Sequence, residues 1–207
     1  MNFWRKEFPR RKISLCERLY GRQSGQVEWV IGLFMVLFLG IVLCTQLQLR
    51  SYHATSLYLE DALAASNLAS AVIDLEEYGI SHVIQIDSAV AAYERYCDAI
   101  MGNLQLDENW EADNKQLISG RVQVENYTIY NVYENVVEVY SVDSDGEVTS
   151  WQGLLGAVKA PNNLEIEATS VYSEISFPVE GMLGVSTRAH KGKLVDSVAE
   201  AEVMAVE

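Results

Sequence analysis

The stretch SGQVEWVIGLFMVLFLGIVLCTQLQLR, residues 24–50, constrains this chain more than any other feature. From Trp29 to Cys44 it holds no charged or strongly polar side chain. With Thr45, Gln46 and Leu47 it reaches the about 17–25 residues that a helix needs to cross hydrocarbon. One carboxylate, Glu28, stands at its entrance. Trp29 follows, an amphipathic ring suited to the headgroup level. The segment is therefore read as a membrane-spanning helix with Trp29 as its interfacial anchor.

Charge is split across this segment. Residues 1–24 carry seven basic and two acidic side chains, a net of +5, whereas the rest carries eight and 27, a net of −19. Basic flanks stay on the cytoplasmic side. This places the N-terminus inside and everything after about Leu49 outside, as a single-pass protein of the cell membrane. An outer part so acidic speaks against nucleic acid as a partner, because that contact needs clustered Lys and Arg. In this topology Cys16 lies inside, Cys44 in the membrane and Cys97 outside, which leaves no pair for an intramolecular disulfide. The spacing also excludes a CxxC zinc site.

A cleavable signal would have a shorter apolar core and small residues at its cleavage site. Here the core runs into CTQLQLRSYH, without an A-x-A pattern, and bulky Val42 and Leu43 precede Cys44. The segment is therefore expected to stay. Beyond it, neither proline nor glycine occurs before Gly79. Leu57, Ala64, Leu68, Ala71 and Leu75 recur at about 3.6 residues. One helix is thus predicted from about Gln26 to Tyr78, apolar all round at first and amphipathic after.

A second helix is predicted from Ser88 to Leu104, capped by Asp87 or Ser88. Its apolar stripe is Val90, Tyr93, Cys97, Ile100, Met101 and Leu104, with Cys97 as a small buried hydrophobe. RVQVENYTIYNVY and NVVEVYSV read as strands, rich in Val, Ile, Thr and Tyr. Asp145-Gly146 marks a hairpin as the central pair of a type I′ turn. Asp143, Asp145 and Glu147 lack the rest of a twelve-residue calcium loop. Leu164, Ile166 and Ala168 alternate with polar residues and suggest one more half-exposed strand. The fold class is α+β: an N-terminal transmembrane helix continuing into a long amphipathic one, a second helix, and a C-terminal antiparallel sheet. The divisions are a basic leader 1–24, a span 25–49, a helical region 50–106, a β-rich head 107–195 and an acidic flexible tail 196–207.

Catalytic chemistry is not legible. His53, His82 and His190 are scattered, and HExxH, G-x-S-x-G, P-loop and G-x-G-x-x-G patterns are all missing. No catalytic residue, cofactor or metal is assigned, and the chain is read as a non-enzyme.

Glu28 admits a plain reading: a carboxylate near a helix N-terminus gains about 0.3–1 kcal/mol from the dipole. A second reading comes from resemblance. A basic leader, a glycine, a glutamate and an unbroken apolar helix form the plan of type IV pilin-like proteins. SGQVEWVIGLFMVLFLGIVL resembles the TadE-like pseudopilins of tight-adherence (Tad) pilus systems. The likeness covers the first third of the chain and, loosely, the last fifth, ATSVYSEISFPVEGMLGVSTRAHKGKLVD. It implies a minor pilin or pseudopilin whose partners are the membrane, other pilin-like subunits and the pilus assembly machinery. It also implies that Glu28 helps a subunit enter the filament by pairing with a neighbour's free N-terminal amine, after a prepilin peptidase cuts behind a glycine. In that family the glutamate stands five positions after the cut. Cutting after Gly25 would put Glu28 third, and after Gly21 seventh; Gln23 stands where the family has glycine. An uncut chain would lack the amine. The competing expectation is a single-pass, membrane-anchored extracytoplasmic binding or sensor module outside any filament.

Overall fold

The computed structural model describes residues 15–86, 88–113, 118–143, 146–180 and 186–197, with the backbone alone at 15–26 and at Glu180. Residues 1–14 of the leader, Asp87, Asp145 and the tail beyond residue 197 lie outside the described residues. The elements are α1 (Leu15–Ser70), α2 (Leu75–Ser81), α3 (Ala89–Leu104), β1 (Gln123–Tyr133), β2 (Val136–Val142), β3 (Val148–Leu154), β4 (Ser170–Glu180) and β5 (Ser186–Asp196). The fold is α+β, with a long apolar N-terminal helix, further helices and a C-terminal five-stranded antiparallel sheet. Two compact units divide at Ser51 and Tyr52.

Helix α1 is already formed at Leu15, the first described residue, where the prediction starts it at Gln26, and it ends at Ser70 instead of Tyr78. The cause of the early stop is local. Val72 and Ile73 are β-branched and favour extended backbone. Ile73 pairs with Ile86 as an isolated bridge, and the Asp74 N–H donates to the Gln85 carbonyl at 2.9 Å. Asp74 then starts α2, its carboxylate accepting from the Glu76 and Glu77 N–H groups. A side chain that caps a new helix competes with continuation of the old one.

The buried face of α1 also differs from the predicted stripe. Thr55, Leu59, Ala62, Leu63, Ser66, Asn67 and Ser70 face the head's interior, whereas of the predicted stripe Leu57, Leu68 and Leu75 are exposed and only Ala71 is buried. The true face has helical spacing but is half polar, so hydrophobicity alone pointed to the other side. Its polar members bond across elements, although Asn67 Oδ1 is buried without a hydrogen-bond partner among the described residues. Asn67 Nδ2 donates to the Lys193 carbonyl at 2.8 Å, and Asn103 Nδ2 donates to Ser66 Oγ at 2.9 Å.

The strand order is β3-β2-β1-β4-β5, antiparallel throughout. Both faces are covered. On one, Leu59 and Leu63 of α1 and Tyr96, Ile100 and Leu104 of α3 meet Tyr127, Ile129, Val171 and Ile175. On the other, Val158, Ala160 and Ile166 close over Tyr130, Val137, Val139 and Tyr172. This explains why β1 is buried without alternation from Tyr127 to Asn131. The α3 prediction holds for its limits and its Ser88 cap, whose Oγ accepts from the Ala91 N–H. The stripe turns slightly: Ala92 and Tyr96 are fully buried, while Val90 is exposed.

Two local expectations are corrected. The β2–β3 connection is a five-residue loop, since Val142 pairs with Val148. The Gly146 N–H donates to the Asp143 carbonyl and Gly146 has φ +80, so Gly146 closes the turn instead of sitting at its centre. Leu164–Ala168 is no strand: it makes one isolated bridge, Lys159 to Glu165, with Leu164 exposed and Ile166 buried. Closing the second face of the sheet needs a loop there, and Ile166 serves as its plug.

Glu60 ties α1 to β5. Its carboxylate accepts from Lys193 Nζ at 2.7 Å and pairs with Lys191 Nζ at 3.1 Å. Lys193 first, then Lys191, holds the carboxyl below its ordinary range. A lowered folded-state pKa stabilises the fold above the ordinary carboxylate range and loses that effect as pH falls through the lowered value. Glu60→Gln is expected to destabilise the head by at most about 1 kcal/mol at pH 7, because the side chain is partly exposed and screened. Urea unfolding of both proteins at pH 7 and near pH ~3 checks this; the difference should shrink at the lower pH.

Candidate functional site

The residues singled out by sequence all lie on α1. Gly21, Gly25, Glu28 and Trp29 fall between Leu15 and Ser70. Steps of four and three residues put Gly21, Gly25 and Glu28 on one side of the helix, and Gly32 extends that line by four more. A Cβ at Gly32 would meet nothing within 4 Å, so the surface in front of Glu28 is open. Glu28 is exposed, and Trp29 projects with 80 % of its surface free.

The helix beginning at Leu15 changes the electrostatics at Glu28. Dipole stabilisation fades within the first turn, and Glu28 stands several turns inside α1. Only a chain cut at Gly25 would bring Glu28 into a first turn.

Beyond Glu28 the helix is apolar on every side and faces outward. Phe34, Val36, Phe38, Leu43 and Leu47 are all more than half exposed. At about 1.5 Å per residue, Val27–Leu47 covers about 30 Å, the thickness of bilayer hydrocarbon. Among the described residues this is the one helix long and apolar enough to cross a membrane. Its interior hydroxyl is satisfied within the helix: Thr45 Oγ1 donates to the Ile41 carbonyl at 2.9 Å. That is how a polar group is tolerated where water is missing.

In the head, an open cavity of about 660 Å³ lies at one end of the sheet, lined by His82, Ile84, Val132, Glu134, Thr169 and Asp196 among others. Burial, and then the nearby Glu167 charge, push the Asp196 carboxyl up. Among the described residues no three His, Cys, Asp or Glu side chains converge as a metal would require. The histidines lie on three separate elements: His53 on α1, His82 at the end of α2, and His190 on β5 with Nδ1 3.6 Å from Glu174 Oε1. Cys97 is half-buried on α3, its thiol pushed up by burial. Reading by sequence placed Tyr93 on the apolar stripe of α3 but missed the aromatic centre of the head that it forms with Tyr96 and Tyr127. The tyrosine pair at 93 and 96, one turn apart on a predicted helix, was the available signal.

No protein-family model, curated protein or solved structure matches this chain. The reading of its function therefore rests on its own residues and geometry.

Proposed function

We propose that this chain is a non-enzymatic, membrane-anchored minor pilin or pseudopilin that acts in assembly of a Tad-like pilus or a related secretion apparatus. Its N-terminus is cytoplasmic and its head extracytoplasmic. The observation that carries the reading is the division of labour along α1. Its apolar stretch is bare on all sides, Glu28 guards the beginning of that stretch, and its last turns pack into an antiparallel α+β head. The open glycine side beside Glu28 supports it further, because small residues let another helix come close in a membrane.

Deletion of the gene should abolish surface filaments or the linked secretion, and the full chain supplied in trans should restore them. Mass spectrometry of the native protein should find a terminus at Gln26, or second at Arg22. Filaments unaffected by the deletion, together with an intact Met1 terminus, would overturn the proposal. The competing reading, an anchored binding or sensor module, draws on the cavity at the sheet end. It requires a bound ligand there and no filament phenotype.

A further inference from the structure

The sheet of the head leaves two edges unpaired among the described residues, β3 and β5. They differ in chemistry. β3, VTSWQGL, has no charge and no proline, is exposed nearly throughout, and projects Trp151 and Leu154 with 52 % and 65 % of their surfaces free. Such an unguarded edge is a template for another strand. β5 carries Arg188 and His190 at exposed positions, beside Lys191 and Lys193 that pair with Glu60, and Arg188 discourages it from pairing with its own copy.

The hydrogen-bond parity shows what each edge offers. The Asp143 N–H donates to the Glu147 carbonyl and the Leu155 N–H to the Asn135 carbonyl. Alternation then turns the backbone of Thr149, Trp151 and Gly153 toward β2, and that of Val148, Ser150, Gln152 and Leu154 outward. On the other side the Ser197 N–H donates to the Thr169 carbonyl, so Arg188, His190, Gly192 and Leu194 turn outward on β5. Because neighbouring strands alternate in direction through the order β3-β2-β1-β4-β5, the two edges run the same way.

We infer that β3 of one copy pairs in parallel with β5 of the next, joining heads into a continuous sheet through a head-to-tail contact. The inference rests on the anchored-subunit reading at one step. Copies anchored in one membrane are concentrated beside one another. A β3-to-β3 contact relates two heads by a two-fold axis normal to the sheet and closes after two copies, whereas a β3-to-β5 contact keeps the heads in one orientation and leaves an edge of each kind free.

One register fits side chain to side chain, with Val148 beside Ala189. It sets Glu147 beside Arg188, a charge pair. It sets Trp151 beside Gly192, and Gly153 beside Leu194, so no two large side chains stand directly side by side on that face. Leu154 falls beside Val195. Both glycines are already closely covered within the head. A Cβ at Gly192 would come within 2.3 Å of Tyr172 Oη, and one at Gly153 within 2.4 Å of Val158. The partner's Trp151 would lie against the strand next to the Tyr172 ring. A seven-residue strand addition draws its affinity from main-chain hydrogen bonds. It buries less than the about 1,200 Å² of a stable soluble dimer, so the contact forms between neighbours concentrated by their anchors. A heterologous contact of this kind leaves a free β3 and a free β5 on each pair, to which further copies can add.

The test uses the full chain in its own membrane, with Cys16, Cys44 and Cys97 replaced by serine. Thr149→Cys and His190→Cys, both exposed and side by side in this register, are placed on separate co-expressed chains. Within one chain they are four strand spacings apart, about 19 Å, beyond the about 7 Å limit for a disulfide. Mild oxidation should give a disulfide-linked heterodimer. Gln152→Pro, which removes an outward N–H and spares the β2 ladder, should lower its yield at least about tenfold. Absence of the heterodimer, with both chains in the membrane fraction at normal level, overturns the inference. So does equal cross-linking of Asn162→Cys with His190→Cys, which signals random collision. Homodimers of Trp151→Cys at comparable yield overturn it in favour of the two-fold contact. A chain that cross-links as expected but whose deletion leaves filaments intact would overturn the pilin reading and leave the edge contact standing.

Discussion

Replacing Tyr127 with alanine is expected to destabilise the head by about 3–5 kcal/mol, the range for deleting a buried aromatic side chain. Tyr127 is fully buried on the central strand. Its ring lies 5.3 Å from Tyr93 and 4.9 Å from Tyr96, so it joins β1 to α3. Its hydroxyl donates to Ser70 Oγ at 2.9 Å, and Ser70 Oγ donates in turn to the Asn67 carbonyl, so it also joins β1 to the end of α1. Collapse cannot fill the space easily, because three elements converge on it. Against a total stability of about 5–15 kcal/mol, the loss leaves a head that opens often. Tyr127→Phe removes only the hydroxyl and should cost about 0.5–1.5 kcal/mol. Urea unfolding and protease sensitivity of the full chain in detergent measure both. A cost below about 1 kcal/mol for the alanine variant would show that the cluster does not hold the head together.

The elements that sequence revealed share one property: their signals are local. The apolar stretch after Glu28, the Ser88 cap of α3 and the Val- and Tyr-rich strands each need only neighbouring residues to be recognised. What stayed hidden depends on tertiary partners. The buried face of α1 includes Ser66, Asn67 and Ser70, which are polar by type and become interior through Asn103, the Lys193 carbonyl and Tyr127. No hydrophobic count finds such a face; its spacing, 55-59-62-63-66-67-70, does once polar residues are admitted. The break after Ser70 was legible in principle, as β-branched Val72-Ile73 followed by Asp74 with Glu76 and Glu77 in a first turn. Leu164–Ala168 misled because alternation also arises in a loop that buries a single side chain, Ile166. At the candidate site the residues themselves were legible, and the helical state of the residues from Leu15 to Gly25 was not. That helical stretch determines which force can act on Glu28.

Glu28→Gln is expected to leave protein level and membrane insertion unchanged while impairing filament assembly or recovery of partner subunits. Insertion should not suffer, since removing a charge at the edge of hydrocarbon lowers the cost of the span. The helix should not suffer either. With α1 beginning at Leu15, an uncut chain gains almost nothing from the dipole at Glu28, and a chain cut at Gly25 gains only about 0.3–1 kcal/mol. Assembly is different, because a neighbour's apolar helix approaching the open glycine side would draw the carboxylate toward hydrocarbon. An unpaired charge there costs about 2.5–3.5 kcal/mol at the centre of a span, and a cation from the neighbour removes that cost. The cation is a freed amine after cleavage, or an arginine such as Arg22 from an uncut chain. Recovering even half of that cost changes assembly about tenfold. Glu28→Asp, which keeps the charge on a shorter stem, should retain part of the function that Glu28→Gln loses. Normal filaments, normal partner recovery and a normal protein level in the Glu28→Gln strain would make the segment a plain anchor, with Glu28 an ordinary residue at its edge.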